Sequence, residues 1–279
     1  MIQIITDSTS DLSSAQAQQL GVQVLPLTVH FGEEAFRDGI DITNADFYAR
    51  LRGASTLPTT SQVNPDVFTQ VFQAALDKGD QVVGIFISSE LSGTCQSAVI
   101  AQEMLDSKDV FVVDSRTVTF PLGLLVAVAA HLRDQGLDAA ALAAKLCQLR
   151  ERLRLYAVVD TLKYLKMGGR ISAATAAVGG MLGISPIITI QDGKVESVGK
   201  ARGRKAGIQW IVNKVAQEKP DPAYPIAFGH SDCPDAMDAI SAAFAELSAQ
   251  VPQTYTSDIG SVVGTHAGPG ATGIAYFAL

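Results

Sequence analysis

An apolar run passes directly into a helical pattern in the segment Ile85-Phe86-Ile87-Ser88-Ser89-Glu90-Leu91-Ser92-Gly93-Thr94-Cys95-Gln96-Ser97-Ala98. The run from Val82 to Ile87 predicts a buried strand, and the pattern from Cys95 to Leu105 predicts a helix. Free backbone N–H groups at a helix start carry partial positive charge and suit an anion. Ser92 or Thr94 could instead only cap the helix. The density of hydroxyls favours a site for a carboxylate or phosphate held by neutral donors, because the segment contains no Arg or Lys.

The composition describes an ordered globular protein and excludes several classes of function. Hydrophobic residues make up 47% of the 279 residues and charged residues 18%, which is typical of a chain with a sizeable core. The net charge of -7 argues against a nucleic-acid-binding protein, which usually shows a clustered basic surface. The three cysteines, Cys95, Cys147 and Cys233, have neither metal-like spacing nor an even count. We therefore predict no metal site and no disulfide framework.

The sequence favours a cytoplasmic location. The first residues lack the basic region and long apolar core of a signal peptide. The most apolar later stretch, Leu122 to Leu132, is too short to span a bilayer and predicts a buried helix. We expect at most transient contact with a membrane surface.

Strand and helix patterns alternate in the first half of the chain. Strands are predicted at residues 3–6, 22–29, 82–87 and 110–113, and helices at 47–52, 66–76, 95–105, 122–133 and 139–153. This alternation predicts a mostly parallel, Rossmann-like sheet with helices on both faces. The apolar runs lack strict alternation, as is typical of strands that are buried on both sides.

The second half predicts a separate mixed α/β domain. Strands are expected at 155–159, 187–190, 195–198, 226–229, 254–257 and 273–277, and helices at 173–181, 207–217 and 235–247. Asp192-Gly193 between two of these strands is a hairpin signal. We place the boundary near residue 153, which gives domains 1–153 and 154–279.

Other hydroxyl-rich loops share the chemistry of the first segment. Thr6 to Asp11 follows the first strand, and in a parallel sheet ligands bind beyond the carboxyl ends of the strands. Thr59-Thr60-Ser61-Gln62 has three consecutive hydroxyls, more than a single helix cap needs. Gly260 to Gly270 is predicted to be a glycine-rich loop carrying His266, and it lacks the Gly-Lys-Ser/Thr ending of a P-loop. His230-Ser231-Asp232 contains the residue types of a catalytic triad, but neighbours along one strand rarely have triad geometry.

Taken together in chain order, these motifs resemble the DegV family of bacterial fatty acid-binding proteins. The matching segments span nearly the whole chain: 6–12, 58–62, 88–94, 113–115, 165–171 and 264–270. The resemblance implies a two-domain DegV-like α/β protein with a long-chain fatty acid buried between its parts. It also implies that a separate fatty acid kinase phosphorylates the bound carboxylate, so that the chain itself is a substrate-presenting protein and not an enzyme. No cofactor other than this ligand is implied.

The resemblance assigns site residues by position. It places the carboxylate at Thr60 and Ser92, with Ser61, Gly93 and Thr94 beside them and His266 in the supporting polar network. It places Arg170 and Arg202 near the face turned toward the kinase. Met167 and Ser185 stand where lysines are common in the family, which lowers the positive charge near that face. The segment Thr119-Phe120-Pro121-Leu122 is bulkier than is usual there, and we expect Leu122, Leu124, Leu125 and the helix Ala173 to Met181 to help enclose the acyl chain.

An alternative function remains open from the residues alone. The Ser92 and His266 loops could serve a small-molecule hydrolase or phosphotransferase that works at the same cleft.

Overall fold

The computed structural model describes residues 1–172 and 183–279. In the first half the elements are β1 Ile2–Asp7, a short 3-10 helix Ser8–Ser10, α1 Ser14–Leu20, β2 Val22–Leu25, β3 Thr28–Phe31, β4 Glu34–Arg37, α2 Asn44–Gly53, β5 Thr59–Ser61, α3 Pro65–Leu76, β6 Gln81–Phe86, α4 Thr94–Leu105, β7 Val110–Asp114, α5 Phe120–Asp134 and α6 Ala139–Arg150. In the second half they are β8 Leu153–Val158, α7 Lys163–Met167, β9 Ile184–Gln191, β10 Lys194–Arg202, α8 Arg204–Glu218, β11 Ile226–His230, α9 Pro234–Ala243, α10 Ala245–Ser248, β12 Thr254–Asp258, α11 Ser261–Ala267 and β13 Thr272–Phe277. The predicted helix 173–181 lies outside the described residues.

The first sheet is parallel throughout and has the strand order β2-β1-β6-β7. Helices α3 and α4 cover one face, where Phe68 and Phe72 pack against Val82 and Phe86. Helices α5 and α6 cover the other face. The predicted class of fold is therefore confirmed for this half, and the apolar strands are buried because both faces are covered.

The second sheet is mixed and has the strand order β10-β9-β8-β13-β11-β12. Only β11 and β12 are parallel neighbours in it. Helix α5 lies between the two sheets and contacts strands of both, so all residues from Phe120 to Ala130 are buried. This position explains why the stretch predicted to be a buried helix is apolar all round: no side of the helix faces water there.

A third, small sheet has the order β4-β3-β5 and packs on α2. The predicted single strand 22–29 was wrong, because Pro26 separates β2 in the first sheet from β3 in the third. Proline has no N–H for a sheet ladder, so it ends β2. Strands β4 and β5 were not predicted. The chain enters the second sheet at Leu153, which shortens the predicted helix 139–153 to α6; the division into domains at this point stays a prediction.

The segment 260–270 was predicted to be a loop, but it contains α11. Two buried carboxylates from elsewhere in the chain hold the start of this helix. Asp11 Oδ1 accepts from the Gly260 N–H at 2.9 Å, and Asp38 Oδ1 accepts from the Ser261 N–H at 2.9 Å and from its hydroxyl at 2.6 Å. Carboxylates at a helix start satisfy its free N–H groups and complement its dipole. The helix therefore forms despite its glycines, and its position is fixed by long-range contacts.

Candidate functional site

A cavity of about 160 Å³ lies between the first and second sheets. One part of its wall is apolar and includes Leu155, Ile188, Ile190 and Val195. Another part is polar; its members are Thr60, Ser61, Gln62, Ser92, Gly93, Arg170 and His266. A mostly apolar enclosure with a few polar groups gathered in its wall is the usual form of a small-molecule binding site.

Ser92 and Gly93 line the cavity at the start of α4. The Ser92 hydroxyl accepts from the Thr94 N–H at 3.2 Å and lies 3.0 Å from the Thr94 hydroxyl. Ser92 therefore lines the cavity and also bonds to the first N–H of α4, although the cap position itself is Gly93, which has no side chain to serve as a cap. Thr94 is buried and does not line the cavity. Glycine at residue 93 lets the Gln62 amide lie close to the backbone, because a Cβ there would lie 2.0 Å from Gln62 Oε1 and would displace that side chain.

Thr60 and His266 form a hydrogen-bonded pair in the polar part of the wall. Thr60 Oγ1 lies 3.0 Å from His266 Nε2. The other ring nitrogen, Nδ1, is buried and has no hydrogen-bond partner among the described residues, and it lies against Gly168, where a Cβ would come within 2.2 Å of it. Burial, with the charge of Arg170 as a second cause, lowers the pKa of His266 to about 4. The imidazole is therefore neutral at physiological pH.

The unpartnered Nδ1 indicates which tautomer His266 adopts. A buried N–H without an acceptor is rarer in proteins than a buried acceptor without a donor. We therefore assign the proton to Nε2, which donates to Thr60 Oγ1. The Thr60 hydroxyl proton is then free to donate to an acceptor in the cavity.

Arg170 brings a positive charge to this cavity. Its Nε donates to the Leu91 carbonyl at 3.1 Å and its Nη1 to the Gly168 carbonyl at 2.6 Å. Burial lowers its pKa, and within residues 1–172 and 183–279 no carboxylate forms an ion pair with it. The cavity wall therefore contains a charged group besides the neutral donors expected from the Ser92 segment, and which of them hold a ligand stays a prediction. That expectation rested on the absence of basic residues from the Ser92 segment, and Arg170 reaches the cavity from a distant part of the chain.

Other predicted residues lie elsewhere. Arg202 ends β10, is exposed and does not line the cavity. Leu122, Leu124 and Leu125 are fully buried in the core between the sheets and do not line it either, contrary to expectation. The wall near them is formed by Val118, Thr119 and Phe120, which come just before and at the start of α5.

The supports of α11 were missed from the sequence. This helix presents Val262, Val263 and His266 to the cavity, and the Asp11 and Asp38 carboxylates described above fix its start. Burial raises the pKa of both carboxyls. Asp11 could have been suspected as a site residue, because it is an acidic residue in the segment that follows a strand. Nothing in the sequence indicates that Asp38 contacts residue 261.

The residues His230, Ser231 and Asp232 do not form a triad. His230 Nε2 lies 2.8 Å from Asp258 Oδ1, and the Ser231 hydroxyl donates to the Gly268 carbonyl at 2.7 Å. In the described part of the chain, no cluster of three or more His, Cys, Asp or Glu side chains has the arrangement of a metal site. No helix found between residues 1 and 172 or between 183 and 279 has the length and hydropathy needed to cross a membrane.

The fold is that of an α/β protein with a partly apolar cavity between its two main sheets. The family model described as "Uncharacterised protein, DegV family" matches residues 1–279, and the chain belongs to the DegV family. A DegV domain-containing protein of Caldanaerobacter subterraneus subsp. tengcongensis is 36% identical over 277 residues, which cover 99% of this chain and 98% of that protein.

Solved structures agree with this assignment. A DegV family protein from Thermus thermophilus, described for its fatty acid binding, superposes with a TM-score of 0.92 at 34% identity and covers 100% of this chain and 99% of its own. A stearic acid-binding protein from Eubacterium ventriosum superposes with a TM-score of 0.87 at 28% identity and covers 100% of this chain and 98% of its own. The predicted family is thus confirmed.

The neutral state of His266 predicts a particular dependence of stability on pH. The folded-state pKa of about 4 lies below the ordinary value of 6.5, so the unfolded chain binds the proton more readily. The stability associated with the neutral ring is present above pH 6.5 and is lost as the pH falls toward 4. Asp7, whose pKa burial raises to about 6, has the opposite effect, but it cancels when two variants that both contain it are compared.

We expect the stability advantage of the parent over His266→Gln to shrink by about 3 kcal/mol between pH 7 and pH 4. Glutamine keeps a donor for Thr60 but does not titrate. Denaturant unfolding of both proteins across this range measures the difference. Parallel stability curves would show that His266 is protonated normally in the folded protein.

Proposed function

We propose that this protein binds a long-chain fatty acid in the cavity between its sheets and presents the carboxylate to a separate fatty acid kinase. The observation that carries the proposal is a cavity in which an apolar wall adjoins Thr60, Ser92, His266 and Arg170. Relatives of known structure are described as fatty acid-binding, which supports the same ligand class.

The apolar wall accounts for most of the affinity. A chain of about sixteen carbons offers roughly 10 kcal/mol of gross burial, at about 0.8 kcal/mol per methylene group. Ordering and association offset several kcal/mol of this gain. Sub-micromolar binding therefore does not require a strong ion pair at the head group.

The polar wall suits a carboxylate that must still react. Thr60 and Ser92 offer hydroxyl protons, and Arg170 offers its charge. Because Nε and one N–H of Nη1 of Arg170 already donate to backbone carbonyls, the side-on fork through Nε is not available to the ligand. The backbone carbonyls share the charge of this guanidinium, which weakens its hold on the ligand carboxylate. One carboxylate oxygen then remains able to attack a phosphorus atom supplied by the kinase. The Gly93 N–H, at the start of α4, would donate to an oxygen of the acyl phosphate. Gly268 does not serve in this way, because its N–H already donates to the Gly264 carbonyl at 2.8 Å.

The chemistry is assigned to the partner and not to this chain. Ser92 bonds to Thr94 and not to His266, and His266 has no acidic partner on Nδ1. A serine hydrolase needs both of these contacts, so the alternative of a hydrolase or phosphotransferase has less support. We also propose a cytoplasmic role in a bacterium, with no nucleic acid partner, no cofactor besides the fatty acid and at most transient contact with a membrane surface.

Mass spectrometry of lipid extracted from the purified protein tests the first part. A carrier should hold about one fatty acid per chain. Protein that retains no fatty acid, even after incubation with oleic or palmitic acid, would contradict the proposal.

Phosphorylation by the kinase tests the second part. We expect Arg202→Ala to keep its lipid but to form acyl phosphate at least about tenfold more slowly, because an exposed arginine that contacts a partner acts without touching the ligand. Lys200→Ala, two residues away on the same exposed strand, is the matched control. Arg170→Ala separates the two roles of that residue: lost lipid places it in the binding site, and retained lipid with lost turnover places it at the partner face. Unchanged turnover in Arg202→Ala would leave that residue without a partner role.

A further inference from the structure

The hairpin formed by β9 and β10 has only a short backbone ladder to the rest of its sheet. β9 and β10 pair along their whole length, whereas the backbone pairing of β9 with β8 in the described residues covers Pro186 to Ile188. Beyond this ladder, the Thr189 hydroxyl donates to the Leu155 carbonyl at 2.7 Å. The outer half of the hairpin therefore extends past the paired region of the sheet.

This outer half forms one wall of the cavity. Ile190 of β9 and Val195 of β10 line it, next to Ile188 of the paired part of β9, while Ile87 and Leu91 line it from the loop that follows β6. The hairpin thus lies between the cavity and the outside. Any outward movement of its tip would widen the enclosure.

The tip is fastened to the loop that follows β6. Asp192 and Gly193 both have positive φ, 50° and 82°, as a tight type I′ turn requires. The buried Ser88 hydroxyl donates to the Gly193 carbonyl at 2.8 Å. A Cβ at residue 193 would lie 2.5 Å from that hydroxyl, so glycine permits the close approach.

Two ion pairs at the surface flank this buried bond. Lys194 Nζ lies 3.2 Å from Glu90 Oε2, and Arg116 Nη2 lies 3.9 Å from Asp192 Oδ1. Exposed pairs of this kind contribute little individually. The polar contacts of the tip are therefore one buried hydrogen bond and two weak ion pairs, which act beside the apolar packing of Val195. Polar contacts this few can break and re-form.

We propose that the hairpin is a lid on the cavity and that its tip contacts with Ser88, Glu90 and Arg116, here called the clasp, control how fast ligand enters and leaves. This inference rests on the proposed function, because it assigns the access route of the same fatty acid site. A clasp that closes the lid equally over the empty and the filled cavity changes the association and dissociation rates together. It leaves the equilibrium affinity nearly unchanged.

Stopped-flow exchange of cis-parinaric acid, a fluorescent eighteen-carbon acid, measures both rates. We expect Ser88→Ala to speed association and dissociation about fivefold each, because the buried Gly193 carbonyl loses its donor. Lys194→Glu, which faces Glu90 with a like charge, should speed both about twofold to threefold without risk to folding. The double variant Glu90→Lys/Lys194→Glu should restore the parent rates. Lys200→Glu, on the same hairpin but away from the tip, is the control.

A cross-link tests the opposite direction. In the variant Glu90→Cys/Lys194→Cys, joining the two thiols with a short bis-maleimide should slow both rates at least tenfold, while the parent treated with the same reagent should not change. Faster dissociation with unchanged association would show that the hairpin is only a wall of the site. Unchanged rates in all tip variants would overturn the clasp alone. A parent that does not bind the probe would overturn the proposed function and the clasp with it.

Discussion

The double variant Thr60→Ala/Ser92→Ala is expected to bind fatty acid about 10² to 10⁴ times more weakly than the parent. A hydrogen bond to a charged group contributes about 1.5–3 kcal/mol, and the two hydroxyls lie on different elements that meet at the same cavity. The acyl chain is untouched by these changes, so the weakened complex should still form at high ligand concentration. Titration with a fluorescent fatty acid at fixed ionic strength measures the loss.

Ser97→Ala is the matched control for this experiment. Ser97 is a buried serine of α4, the helix that directly follows Ser92. Its hydroxyl accepts a hydrogen bond from Gln62, and it does not line the cavity. Thermal unfolding of all variants separates affinity from stability, because the Ser92 hydroxyl also accepts from the Thr94 N–H and the loss of this hydrogen bond should cost about 1 kcal/mol. Parent-like affinity in the double variant would move the carboxylate to another part of the cavity.

The meeting of Thr60 with Ser92 illustrates what could be predicted from the sequence. Ser92 follows a buried parallel strand, and the rule that ligands bind beyond the carboxyl ends of such strands places it at the site edge. Thr60 lies on the short strand β5 of a different sheet. Among local sequence features, only the run of three consecutive hydroxyl residues at 59–61 indicated that Thr60 belongs to a site. The Asp192-Gly193 hairpin could be predicted equally well. A tight turn of this type requires positive φ at both residues, and the pair Asp-Gly favours that conformation.

Arg170 and α11 show why the rest was not predicted. Arg170 follows Gly169, whose φ of 71° turns the chain back toward Leu91, and no local pattern reports where that turn leads. Helix propensity alone argues against α11, which contains two β-branched valines and a glycine. Its start is held by Asp11 and Asp38, which are more than 200 residues distant in sequence. Tertiary contacts override local propensity at both places.

The break between β2 and β3 at Pro26, unlike Arg170 and α11, could have been predicted from the sequence. A proline inside a predicted strand removes one ladder donor and argues for an edge or an end. In the structure, the chain changes sheets there, which places β5 and Thr60 over the cavity through β3. A local rule applied at residue 26 would therefore have improved the prediction of a site residue more than thirty positions away.

Phe120→Ala is expected to admit longer acyl chains and to destabilise the protein when no ligand is bound. The Phe120 ring lines the cavity with only 3% of the residue exposed. It packs flat against Gly229, where a Cβ would lie 2.1 Å from the ring. Its removal leaves space that a longer acyl chain can fill, and each further pair of buried methylene groups contributes about 1.6 kcal/mol, or roughly tenfold in affinity. Without ligand, truncating a buried phenylalanine costs about 3–5 kcal/mol in the free energy of unfolding.

Leu124→Ala provides the control that separates these two effects. Leu124 is a buried apolar residue of the same helix α5, but it belongs to the core and does not line the cavity. Both variants should lose several kcal/mol of stability when stripped of lipid, whereas only Phe120→Ala should recover part of this loss as the added fatty acid is lengthened. Mass spectrometry of lipid that copurifies from one growth medium should likewise shift to longer chains only in Phe120→Ala. An identical lipid profile in the two variants would mean that Phe120 stabilises the fold without limiting chain length.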